Sequence, residues 1–241
     1  MVSNKIRHIS NKIIIPIAKR FENSKITPNI ITMFGLLVMA LAAIVTAIVG
    51  TLRLNELFLI ISLLLLGLSG FLDLLDGGVA KFTGQKTTFG GVLDSVIDRY
   101  ADGIFIIGLI AGNYFALPAH LTTDITIATN WGIILGFIGL VGAYMTSYVR
   151  SRAEIEQVEM AGIGLIERAE RIAVLAVGLL LEIILPGVGT MFYIFVVLTV
   201  LMHFTAFQRV WHAYKELKKA DGQNNMGETG TQPVDERESP R

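Results

Sequence analysis

The 241-residue sequence contains no cysteine. Disulfide frameworks and thiolate metal sites are therefore excluded. Charged residues are also scarce, at 17%, and they balance: 20 Lys and Arg against 20 Asp and Glu give a formal net charge of zero. Nothing in the global charge points to nucleic acid as a partner. The N-terminal stretch lacks an apolar segment followed by a small-residue cleavage site, so it does not read as a signal peptide. No internal repeat is visible. The sequence is 53% hydrophobic, with a mean hydropathy of +0.61. That is too apolar for an ordinary soluble domain and enough for several membrane spans.

Six spans can be drawn, which makes the expected fold an all-α integral membrane protein. Residues 30–52 are uncharged and long enough to cross. Residues 57–72 are uncharged and run on into acidic residues. A third helix is expected from near Gly90 to about Leu117, and a fourth over 125–149. The fifth and sixth cover 165–185 and 188–207, with Pro186-Gly187 as the turn between them. Ahead of the first span, Ile6, Ile9, Ile13, Ile17 and Phe21 recur at helical spacing among Lys and Arg, the pattern of a helix lying in the membrane interface. The expected domains are 1–27 as interfacial helix and turn, 28–215 as the six-helix membrane domain, and 216–241 as a polar, disordered tail.

An even number of spans puts both termini on one side. Lys5, Arg7, Lys12, Lys19, Arg20 and Lys25 precede the first span; Lys81 and Lys86 follow the second; Arg150, Arg152 and Arg168 follow the fourth; Arg209, Lys215, Lys218 and Lys219 follow the sixth. Only Arg53 lies opposite. The positive-inside rule then predicts a multi-pass protein of the cell membrane with both termini cytoplasmic.

On that same side stand four aspartates. Asp73 and Asp76 are spaced i,i+3, and Asp94 and Asp98 are spaced i,i+4, so on helices each pair shares a face. Four uncompensated carboxylates beside long apolar runs are unfavourable through repulsion and desolvation. A cation is expected among them. Oxygen-only ligands favour hard divalent ions such as Mg²⁺ or Mn²⁺, and two pairs on facing helices suit two ions about 4 Å apart. A cation transporter using the same acids is the alternative, although broken helices or a repeated half would be expected with it. Gly77, Ala80 and Gly90, interleaved with the acids, allow helices and a ligand to approach closely.

The segment Asp73-Leu-Leu-Asp76-Gly77-Gly-Val-Ala80-Lys81, then Gly90-Gly-Val-Leu-Asp94-Ser-Val-Ile-Asp98, resembles the signature of the CDP-alcohol phosphotransferase family. Lys81 stands where that family carries arginine, which keeps the charge and loses the two-pronged donor. The resemblance implies transfer of a phosphatidyl-type group from a CDP-lipid to an alcohol, with release of CMP. It implies that Asp73, Asp76 and Asp94 are metal ligands and that Asp98 is the catalytic base and shares a metal. It places Gly77, Ala80, Lys81 and Gly90, with Asp73, against the CDP-lipid, and it implies a homodimer. Asn29, at the membrane edge, is a further candidate for nucleotide contact, with capping of the first span as the alternative.

A second cluster is basic: Ser147-Tyr148-Val149-Arg150-Ser151-Arg152-Ala153-Glu154, then Glu167-Arg168-Ala169-Glu170-Arg171. One reading is a solvated loop obeying the positive-inside rule, with Glu167 and Arg171 as an i,i+4 pair. The other is a pocket for a second anion, because arginine forks suit phosphate. The cluster resembles the inositol-phosphate-using branch of the family, in which Arg150, Arg152, Arg168 and Arg171 would bind the acceptor phosphate. A glycerol-3-phosphate-using enzyme is the alternative acceptor class. Among weaker signals, Asp102 is expected to pair with Arg99 or to extend the polar site. His203 reads as a satisfied buried histidine, Trp131 and Trp211 as interface anchors, and Gly136, Gly139 and Gly142 as a close-packing seam, with a dimer seam as one reading of it.

Overall fold

The computed structural model describes residues 16–21 and 26–228. Ile6, Ile9 and Ile13 lie outside that range. Six long helices follow one another: α1 (Pro28–Thr51), α2 (Leu59–Phe82), α3 (Thr88–Ala111), α4 (Ile125–Ile155), α5 (Arg168–Ile184) and α6 (Thr190–Glu228). A 3₁₀ turn, Glu56–Phe58, leads into α2, and no strand occurs among the described residues. Residues 16–21 are helical, and Ile17, Ala18 and Phe21 pack on Ile31, Leu75 and Val79 where α1 and α2 meet.

Helix starts follow local chemistry. Pro28 opens α1, where a missing N–H has no consequence. The Thr87 hydroxyl accepts from Gly90 N at 2.9 Å at the head of α3. Asp124 accepts from Thr126 N and Ile127 N at the head of α4. Glu167 and Glu170 form a capping box on α5, with Glu170 Oε2 2.9 Å from Glu167 N. Helix α3 stops at Ala111, short of Leu117. Helix α6 runs on to Glu228, so much of the segment expected as a disordered tail is helix.

Helices α1, α2, α4 and α6 are long and apolar enough to cross a membrane. Helices α3 and α5 do not meet that description, for different reasons. Every 18-residue stretch of α3 contains Asp94, Asp98, Arg99 and Asp102, and α5 has 17 residues.

The helices close a ring. Helix α1 packs on α2 and α3, α2 on α5, α5 on α6, α6 on α4, and α4 on α3. The ring encloses a core that includes Met39, Leu66, Phe105, Leu109, Leu175, Phe195 and Met202. Small residues set its tightest joints. A Cβ at Gly108 would lie 2.6 Å from the Ala43 carbonyl, so α3 meets α1 backbone to backbone there. The α4 glycines are occupied within the chain: a Cβ at Gly136 would strike Ile110, at Gly139 Phe195, and at Gly142 His203 and Met202. They are therefore seams toward neighbouring helices of the same chain and do not form a free face for a second copy. His203 is exposed, and its Nε2 lies 3.1 Å from the Ile138 carbonyl, so it is satisfied without being buried.

Across the ring, α3 and α5 have no Cα atoms within 8 Å of each other. Only long side chains bridge that gap. The Gly108→Val variant, which forces α1 and α3 apart, is expected to destabilise the protein by roughly 1–3 kcal/mol, read as a lower thermal unfolding midpoint in detergent.

Candidate active site

The four aspartates come together at one end of the ring, from α2 and α3. One carboxylate oxygen each from Asp73, Asp94 and Asp98 lies within 4.8 Å of the others. Asp76 stands beside them, buried, with its Oδ2 accepting a 2.6 Å hydrogen bond from Thr32 Oγ1 on α1. The buried Asp98 Oδ1 is 2.8 Å from Arg168 Nη1 yet receives no hydrogen bond at that approach. A set made only of carboxylates, with a buried oxygen still lacking a donor, fits a hard divalent cation.

Two recesses open beside this cluster, and Asp94 lines both. The first, about 430 Å³, lies among α1, α2 and the start of α3. Its walls include Asn29, Thr32, Asp76, Gly77, Ala80, Lys81, Lys86 and Gly90. Every residue expected from the sequence to face the CDP-lipid is there except Asp73, which belongs to the carboxylate cluster itself. Asn29 is not the cap of α1, a position held by Thr27. Gly77 has open space where a Cβ would project, leaving the helix backbone accessible.

The second recess, about 370 Å³, lies among α3, α4, α5 and α6. Five arginines line it: Arg99, Arg150, Arg168, Arg171 and Arg209. Arg152 is not brought there. The segment expected as a loop is the last turns of α4, and residues two apart on a helix point in different directions. Arg150 faces the recess and pairs with Glu154 at 2.9 Å, whereas Arg152 pairs with Glu156 at 2.5 Å and points outward.

The two arginines of α5 reach across the ring. Arg168 Nη1 is 2.9 Å from Asp73 Oδ1, and its Nε is 3.4 Å from Asp102 Oδ1. Arg171, only 2% exposed, donates to Asp102 Oδ2 and lies 3.4 Å from Thr146 Oγ1 on α4. Glu167 and Glu170 of the same motif cap the helix, so Arg171 is not the partner of Glu167. Asp102 meets Arg168 and Arg171, while Arg99 pairs with Asp98 at 3.6 Å.

Thr32, Arg99 and Arg209 line the site without having been assigned to it from the sequence. Arg209 donates to the carbonyls of Ile163 at 2.8 Å and Thr146 at 2.6 Å, and it closes the basic recess from α6. Its position four residues after Thr205, whose hydroxyl accepts from Leu165 N and Ile166 N, was the available hint of an inward-facing polar stripe. Thr32 donates its hydroxyl to a charged partner in a buried setting, so Thr32→Val is expected to cost roughly 1.5–3 kcal/mol of stability, measured as a shift of the unfolding midpoint.

Similarity to known proteins bears on this arrangement. The family model for CDP-alcohol phosphatidyltransferase matches residues 25–211. The archaetidylinositol phosphate synthase of Methanothermobacter thermautotrophicus is 36% identical over 215 residues, which is 89% of this chain and 95% of that protein. The archaetidylinositol phosphate synthase of Pyrococcus horikoshii is 33% identical, covering 84% and 91%. Crystal structures of Mycobacterium tuberculosis phosphatidylinositol phosphate synthase share the fold at 26% identity. The one with CDP-DAG bound has a TM-score of 0.67 and covers 84% of this chain and 94% of that one. The one with manganese and citrate also has a TM-score of 0.67 and covers 83% and 88%. This chain, a membrane protein carrying the aspartate signature at the junction of two recesses, belongs to the CDP-alcohol phosphatidyltransferase family.

Proposed function

We propose that this protein transfers the phosphatidyl-type group of a CDP-lipid to inositol 1-phosphate and releases CMP. The observation that carries this reading is the shared wall: the carboxylates separate a recess open to a nucleotide from one lined by five arginines. An acceptor that brings its own phosphate suits the second recess, because arginine forks suit phosphate and the buried Arg209 has only carbonyl partners among the described residues. The names of the relatives, archaetidylinositol and phosphatidylinositol phosphate synthases, support the same acceptor.

Asp73, Asp76, Asp94 and Asp98 would hold two divalent ions, Mg²⁺ or Mn²⁺. When bound, such ions neutralise the diphosphate and stabilise charge on the departing phosphate. The backbone at Gly77 and Gly90, with Ala80, Lys81 and Asn29, cradles the cytidine diphosphate. Arg150 and Arg168 hold the acceptor phosphate, with Arg209 buried behind them adding positive charge and Arg171 paired with Asp102. Asp98 borders the basic recess and takes the proton of the attacking hydroxyl. The acceptor oxygen forms a bond to the lipid-side phosphorus as the bridging P–O bond breaks, and CMP leaves with that electron pair.

The topology that goes with this reading has six spans, α3 and α5 crossing as members of the ring with their charges turned inward. The basic residues at the aspartate end support a cytoplasmic active site and cytoplasmic termini. The homodimer belongs to the same reading, with a seam other than the α4 glycines.

CMP release is the direct assay, with CDP-diacylglycerol and CDP-archaeol each offered with inositol 1-phosphate, inositol, glycerol 3-phosphate or serine. Turnover is expected with inositol 1-phosphate, abolished by a chelator and restored by excess Mg²⁺ or Mn²⁺. Preference for glycerol 3-phosphate, or full activity in chelator, would overturn the assignment. Asp98→Asn is expected to lower kcat by roughly 10²–10⁴-fold while CDP-lipid binding persists; loss of that binding would make Asp98 mainly a ligand. A charge-assisted hydrogen bond contributes about 1.5–3 kcal/mol. Arg150→Ala should therefore raise the acceptor KM by roughly tenfold or more, whereas Arg152→Ala leaves it near the native value.

A further inference from the structure

Asp102 lies outside the aspartate signature, one turn beyond Asp98, with its side chain 4% exposed. It serves two arginines at once, Oδ1 facing Arg168 Nε and Oδ2 facing Arg171 Nη2. Those contacts cross the gap between α3 and α5, where no Cα atoms approach within 8 Å. The aim of the two guanidinium groups therefore depends on what grips their far ends.

Arg168 is held at both ends. Its Nε faces Asp102, and its Nη1 lies 2.9 Å from Asp73 Oδ1 and 2.8 Å from Asp98 Oδ1. Asp73 and Asp98 also belong to the carboxylate group suited to a divalent ion. A guanidinium and a divalent ion seek the same lone pairs, so each weakens the other's hold.

We propose that Asp102 is a positioning residue that sets how strongly Arg168 competes with divalent ions for Asp73 and Asp98. This inference rests on the metal-dependent reading above. With Asp102 in place, Arg168 is drawn toward α3 at its Nε end and Arg171 is neutralised. Without it, Arg171 keeps only a long contact to Thr146, and Arg168 loses its Nε partner and has only Asp73 and Asp98 left to share its charge. The arginine proposed for the acceptor phosphate is then tied to the ion site, and the ions meet a stronger rival.

The test is Mn²⁺ affinity of the purified full-length protein in detergent, read from the EPR signal of free Mn²⁺ with no substrate present. Arg168→Gln is expected to tighten Mn²⁺ binding several-fold, because it removes the competing cation. Asp102→Asn is expected to weaken binding by roughly tenfold, the scale typical for groups that orient metal ligands. Loss of one negative charge would also weaken binding, so the deciding quantity is the coupling between the two sites. The gain from Arg168→Gln should be several-fold larger in the Asp102→Asn background than in the native one. Asp102→Glu keeps the charge and misplaces it by one methylene; it should weaken Mn²⁺ binding too, with recovery on adding Arg168→Gln. This second variant carries the test if Asp102→Asn, with Arg171 left unpaired, does not fold. Equal gains in both backgrounds, or native affinity in Asp102→Glu, overturn the positioning role and leave the metal reading standing. A native protein that binds no Mn²⁺ overturns both.

Discussion

Like charges held together in a poorly polarisable setting must be answered by opposite ones, and this molecule is organised around that requirement. Five carboxylates, Asp73, Asp76, Asp94, Asp98 and Asp102, project from two helices toward one end of an apolar ring. Water cannot reach all of them: Asp76 and Asp102 are buried. Part of the answer is built in. Helix α5 sends Arg168 and Arg171 across the ring, and Thr32 supplies a hydrogen bond to Asp76. The remainder matches what divalent ions provide. The site is thus incompletely neutralised by the chain alone, as a site that takes up metal and anionic substrates needs to be.

The ring explains why so few residues suffice. Helices α1 and α3 meet backbone to backbone at Ala43 and Gly108, which fixes the carboxylate-bearing α3 against the helix that carries Asn29 and Thr32. Helices α4 and α6 interlock through Gly139 and Gly142. Between the two sets, α3 and α5 stand apart and communicate through arginine side chains. A packed core with recesses at one end gives substrates room without loosening the frame.

The aspartates were legible because their spacing is local: i,i+3 and i,i+4 pairs report a helix face without any tertiary knowledge. The helices were legible from apolar run length, whereas a ligand face at Gly77, Ala80 and Lys81 was implied only by the family resemblance. What escaped came from distant parts of the chain or from a misread element. Thr32 lies 44 residues from Asp76, and Arg209 lies 63 from Thr146, separations at which no periodicity speaks. Arg152 was grouped with Arg150 through the family resemblance of the basic segment; because that segment is helix, the two cannot share a face. The α4 glycines correctly announced a tight seam, but sequence cannot tell a neighbour in the same chain from one in another. Helix α3 was drawn as a span from the sequence, yet the charges that make it carry the site leave it less apolar than α1, α2, α4 and α6.

The two recesses touch through Asp94, yet they draw their other walls from different parts of the chain, α1–α2 with the head of α3 for one and mostly α4–α6 for the other. This division has an evolutionary consequence. If the recesses divide the substrates as proposed, substitutions on α4, α5 and α6 can retune which small alcohol is accepted while the activated-donor cradle stays unchanged. Substitutions on α1 and α2 can alter donor handling without retraining the acceptor side. A scaffold with that partition can diversify one substrate at a time, and Asp94 is the position where such freedom ends, since any change there is felt by both.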